Sequence, residues 1–151
     1  MNRTTLLSGI ALLATAASAH VVLPPDAATA GSDYTAAFKV GHPCKGASST
    51  TALSVRLPEG FALVRAQPRE GWRLQVAPRQ VTWTAIDAAS AQGHAPTTFA
   101  IEGRLPDTPG TLWFPTLQTC DVGSADWAVV ATPGHAKPEY PAPHVDVVAP
   151  Q

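Results

Sequence analysis

The stretch TALSVRLPEG, residues 51–60, decides the fold. Leu53, Val55 and Leu57 fall on one side of an extended chain, and Ser54 and Arg56 fall on the other. A period of two is that of a strand with one buried face. LPEG at 57–60 then turns the chain. The same reading extends outward on both sides. Upstream, Tyr34, Ala36, Phe38 and Val40 alternate with Thr35, Ala37 and Lys39. Downstream, Phe61 to Ala66, Trp72 to Val76 and QVTWTAI at 80–86 read as short strands. TTFAIEGRLP at 97–106 sets Phe99 and Ile101 against Ala100 and Glu102. GTLWFPTLQTC at 110–120 is extended, and Pro115 inside it predicts an edge position or a bulge, because proline removes a ladder hydrogen bond.

Fifteen prolines and eleven glycines, spread along 151 residues, punctuate short strands and argue against long helices. About seven or eight strands, one roughly every ten residues, predict an all-β fold, an antiparallel β-sandwich. Trp72, Trp83, Phe99 and Trp113 suit its two inner faces.

Two segments lie outside that pattern. Residues 1–19 have a positive start at Arg3, an apolar run from Leu6 to Ala14, and small residues at Ala17-Ser18-Ala19. This is the layout of a secretory signal peptide, too short for a comfortable membrane span. The expectation is an exported, periplasmic protein, not integral to the membrane once processed, with His20 as its first residue. The sandwich is assigned to 20–131. Residues 132–151, TPGHAKPEYPAPHVDVVAPQ, are proline-rich and read as a tail on the sandwich or partly free of it. With 10 Lys plus Arg against 11 Asp plus Glu and no basic run, no electrostatic footprint for nucleic acid exists. Cys44 and Cys120 both fall in the exported part, where a disulfide is the expected state. Two free thiols acting as soft copper ligands are the alternative.

A chain that begins with histidine offers two nitrogens from one residue, the α-amine and an imidazole nitrogen. Cu(II) binds such nitrogens most strongly among divalent first-row ions and displaces their protons at neutral pH. Val21, Val22 and Leu23 are suited to entering a strand at once and fixing His20 in space.

The ordered set AHVVLPPDAATAGSDYTAAFKV, STTALSVRLPEGF, REGW and GTLWFPTLQTCDVGSADW resembles the YcnI-like family of exported copper-binding proteins, in a branch with two cysteines. The resemblance runs from His20 to about Trp127. It implies an immunoglobulin-like sandwich and a Cu(II) site on the N-terminal histidine, here His20. It also implies an assisting acidic side chain early in the domain and a tryptophan beside the ion, here Trp127. By its own setting Trp127 reads as core. An indole N–H only donates, so its role at a metal would be to shield one side.

The chain departs from the pattern between Tyr34 and Pro58, where no Asp or Glu occurs and GHPCKG stands instead. His42 is the substitute ligand to weigh. A Cys44–Cys120 bond would hold its loop near Asp121 and Trp127, and His20 would reach it only if the first strand runs alongside. Asp121 is a further candidate ligand, or a turn former in CDVG. His94 sits in a turn, and His135 and His144 read as solvated tail residues. Met1, the sole methionine, leaves with the signal peptide, so no thioether Cu(I) site is expected.

The functional expectation is a periplasmic Cu(II)-binding protein, not an enzyme. It would sequester copper or hand it to another periplasmic or membrane copper-handling protein. Two alternatives stand beside it. One is a copper-dependent oxidative enzyme with a two-histidine brace. The other is a metal-free structural or adhesion sandwich. No G-x-S-x-G or H-E-x-x-H signature supports a hydrolase.

Overall fold

The alternation is clearest in the long strands over residues 33–40 and 97–104. A computed structural model describes residues 20–91 and 96–150; residues 1–19, which carry the export-signal pattern, lie outside them, as do His94 and Gln151. In chain order the strands are β1 (Val21–Val22), β2 (Ala27–Thr29), β3 (Asp33–Val40), β4 (Thr50–Arg56), β5 (Ala62–Ala66), β6 (Trp72–Ala77) and β7 (Gln80–Ala85). After a single helical turn, α1 (Ala88–Ala91), come β8 (Thr97–Arg104), β9 (Gly110–Trp113), β10 (Thr116–Cys120), β11 (Ser124–Trp127) and β12 (His144–Val148).

Two sheets make the sandwich, one ordered β1-β3-β8-β5 and the other β11-β10-β4-β7-β6. A third, small sheet runs β2-β12-β9. Pairing within the two large sheets is antiparallel throughout. In the small sheet β12 lies parallel to β2 and antiparallel to β9.

The residues of one alternation phase form the core. Ala36 and Phe38 of β3 and Phe99 and Ile101 of β8 meet Leu53 and Val55 of β4 and Trp83 of β7, all 2% exposed or less. Each large side chain so buried contributes about 1.5–3 kcal/mol. Trp83 and Trp72 both set their rings against Phe99, at 5.4 and 4.9 Å between centroids. Gly103, near the end of β8, leaves room for the neighbouring chain, since a Cβ there would run into the Phe61 ring and the Ala62 carbonyl.

Three local expectations are corrected. Pro115 is neither on an edge strand nor at a bulge; it stands between β9 and β10, where the chain leaves the small sheet for the five-stranded one. At that switch the alternation resets, so Phe114 is fully buried and Trp113 only partly. Residues 132–151 are also more than a tail: Val145 and Val147 of β12 belong to the core at 0% and 4% exposure.

Candidate functional site

The strand that starts immediately after His20 holds it in place. Val21 and Leu23 are buried at 4% and 6% exposure, while Val22 between them faces solvent. β1 pairs with the end of β3 through Val21↔Val40 and Val22↔Lys39, and one further step of that register sets His20 opposite Gly41. The half-buried His20 ring then lies 5.8 Å from the Trp127 indole, with the planes tilted by 48°. The two residues singled out at opposite ends of the domain are brought together.

Trp127 is 3% exposed and also packs edge-on against Tyr140, at 5.1 Å. It is a core residue and a neighbour of His20 at once. Its Nε1–H donates to Gln118 Oε1 at 3.1 Å. Gln118 was not singled out in the sequence, yet its side chain is 1% exposed and in turn donates to the His42 carbonyl and to Thr50 Oγ1, both at 2.9 Å.

His20 lines an open cleft of about 770 Å³ together with Asp26, Lys39, Trp113 and His144. Asp26 is an acidic side chain upstream of the Tyr34–Pro58 stretch that lacks a carboxylate. The available signal was its place directly after Pro24-Pro25, six residues on from His20. Beside it, the Tyr34 hydroxyl donates to the Pro25 carbonyl at 2.9 Å. Burial, with the Asp26 charge adding to it, pushes the Tyr34 phenol up to about 12. Tyr34 therefore stays protonated at neutral pH and supplies no phenolate. His144 rests its ring 4.5 Å from that of Trp113, its partner across β12 and β9.

The cysteine pair forms the Cys44–Cys120 disulfide, and neither thiol is free, so the alternative of two thiolate copper ligands is excluded for this state. The bond clamps the loop after β3 to the end of β10. His42, on that loop, is exposed and donates from Nδ1 to the Pro43 carbonyl at 2.8 Å. Because a carbonyl only accepts, Nδ1 carries the proton of this bond. His42 shares a cavity with Trp127, Tyr140 and Glu139, and does not line the cleft of His20.

Asp121 is occupied in the loop itself. Its Oδ1 accepts the backbone N–H groups of Ser48, Ser49 and Val122 at 3.0, 3.2 and 3.0 Å. Those bonds hold its carboxyl below the ordinary carboxylate range. Among the described residues, no three His, Cys, Asp or Glu side chains converge as an ion-holding group.

Among curated proteins no match is found. A crystal structure of an uncharacterized protein from Nocardia farcinica, which reveals an immunoglobulin-like fold, is similar at 28% identity with a TM-score of 0.72. The similarity covers 86% of this chain and 99% of that one. The sandwich is accordingly an all-β, immunoglobulin-like fold. A model of a domain of unknown function, DUF1775, matches residues 20–79 and 74–147, nearly all of the described chain. On that match the chain belongs to the DUF1775 family.

Proposed function

We propose that the domain binds Cu(II) in the periplasm through a site built on His20 as a mature N-terminus, and sequesters the ion or hands it on to another copper-handling protein. The observation that carries this reading is the contact between the His20 ring and Trp127, at the start of a strand anchored by two buried residues. Once Ala19 is removed, one residue supplies both an amine and an imidazole nitrogen, so the first two ligands need no cluster of side chains. Copper would be cargo here, and the resemblance to the YcnI-like family points the same way. Some of the chain's own groups suit the remaining needs. Asp26 shares the cleft and offers a carboxylate. The indole, its N–H already committed to Gln118, presents only its ring. His42 lines the cavity of Trp127 and not the cleft of His20, so it is the weaker candidate for a further imidazole.

On the side chains alone, a metal-free structural or adhesion sandwich is the better-supported reading, because it asks for nothing beyond an immunoglobulin-like domain without converging ligands among the described residues. The two-histidine brace of an oxidative enzyme has less support, since His42 is absent from the lining of the cleft that holds His20.

One comparison decides between the readings. Protein beginning at His20 and protein with one residue added before it are titrated with Cu(II) by calorimetry. The added residue carries an acetyl cap, so that no new amine can chelate; the extension turns the His20 amine into an amide and should weaken binding sharply, because the amine–imidazole chelate is lost. Equal affinities would move the site away from His20, and no binding by either form would leave the metal-free sandwich.

A further inference from the structure

We propose that Gln118 is the positioning residue of the His20–Trp127 pair: it fixes which part of the indole His20 meets, and it does so from β10, where it is tied to the disulfide-clamped loop. The effect on copper affinity rests on the proposed Cu(II) function; the effect on the pair does not.

Thr116, Gln118 and Cys120 share the inward face of β10, all 7% exposed or less. An apolar side chain is the default at such a position, and an amide buried there costs free energy unless all its groups are paired. Gln118 meets that condition. Its oxygen accepts from Trp127 Nε1, and its nitrogen donates to the His42 carbonyl and to Thr50 Oγ1. The amide has one orientation only. An indole N–H cannot accept and a carbonyl cannot donate, so turning the amide over would set donor against donor and oxygen against oxygen.

The far end of this network is equally fixed. The His42 carbonyl lies two residues before Cys44, which is bonded to Cys120, two residues beyond Gln118. The Cys44 backbone N–H also points at the Cys120 sulfur, at 2.9 Å. A short closed path therefore runs from Gln118 through the loop and the disulfide back into the same strand. Rotation of the indole would break its single polar bond in a buried place. The ring is held against His20 by this bond and by Tyr140. Supporting groups that orient the residues around a metal typically alter its affinity without touching it.

The test uses protein beginning at His20, with four forms: wild type, Gln118→Leu, Trp127→Phe, and the double variant. In the metal-free protein, NMR reads the ring-current displacement that Trp127 imposes on the His20 ring protons, assigned by its reduction in Trp127→Phe. Gln118→Leu should lose most of that displacement while the rest of the spectrum stays dispersed. Cu(II) affinity should fall roughly tenfold in Gln118→Leu. In the Trp127→Phe background the same change should add less than about twofold, since Phe offers no N–H to orient. An unchanged His20 displacement in Gln118→Leu overturns the proposal. So does an equal loss of affinity in both backgrounds, which would mark Gln118 as merely structural. If Gln118→Leu does not fold, Thr50→Val, which removes one of the three bonds, takes its place. It should lose part of the displacement, and an unchanged value again overturns the proposal. If wild type binds no Cu(II), the copper reading falls and the metal-free NMR comparison still judges Gln118.

Discussion

His20 and His144 line the same cleft, and each rests its ring against an indole, yet the two pairs are built differently. The closer pair is His144 on Trp113, at 4.5 Å against 5.8 Å. It is also the less constrained. Trp113 is only half-buried, and among the described residues its N–H has no hydrogen-bond partner. Trp127 is buried, bonded through Gln118, and backed by Tyr140 and the disulfide loop. Proximity of two rings is thus a poor guide to how firmly they are held. What distinguishes the pairs is the shell behind each indole.

The largest expected difference between them is in stability. Trp127→Ala removes a buried ring and leaves the Gln118 oxygen without a donor, so a loss of about 3–5 kcal/mol is expected. Trp113→Ala should cost well under half of that, because solvent already reaches its ring. Urea unfolding of the two variants measures both, and equal losses would erase the distinction.

The next effect concerns the clamp behind Trp127 alone. Replacing both cysteines by serine opens a loop with a sequence separation of 76 and should destabilise by about 2–4 kcal/mol. Fluorescence quenching by acrylamide should rise for Trp127 and stay constant for Trp113, with single-tryptophan variants as reporters. A rise at both would mean that the disulfide loosens the whole sandwich rather than one pair.

The smallest effect belongs to Asp121, which pins the same loop through three N–H groups. These bonds lower its pKa from the ordinary 3.8. A lowered folded value contributes stability that is present above the unfolded pKa and fades as pH falls through the folded one. The stability gap between wild type and Asp121→Asn should therefore be steady near neutrality and narrow only below about pH 4. Chemical denaturation from pH 6 to pH 2 tests this. A gap that narrows already between pH 6 and 5 would contradict the assignment.

The core strands were legible because each has one buried face, so β3, β4 and β8 display their alternation openly in residues 34–40, 53–57 and 97–104. Legibility failed where the chain changes sheets. Around Pro115 the phase shifts, and Phe114 takes the inner place expected of Trp113. It failed again at β12, where the alternation of Val145 and Val147 was outweighed by the prolines around it. Of the candidate site, the sequence brought His20 and Trp127 forward through the cleavage pattern and a family resemblance. Asp26 is plain in the sequence but stands upstream of the Tyr34–Pro58 stretch, and only the fold brings it to the cleft of His20. Gln118 carried no local signal. An amide in an alternating strand looks the same whether it faces water or a buried indole, and only the partners decide.

The parallel pairing of β12 with β2 also bears on how the two walls of the cleft are closed. Ala27 and Asp146, partners in that register, come from opposite ends of the described chain, so theirs is among the costliest loops to close. β1 pairs instead with β3, close by in sequence, through Val21 and Val22. The His20 side of the cleft thus rests on a pairing close in sequence, while the His144 wall, built on β9, is joined to β2 through one of the longest closures. The two walls of one cleft therefore differ in the chain entropy that each closure has to overcome.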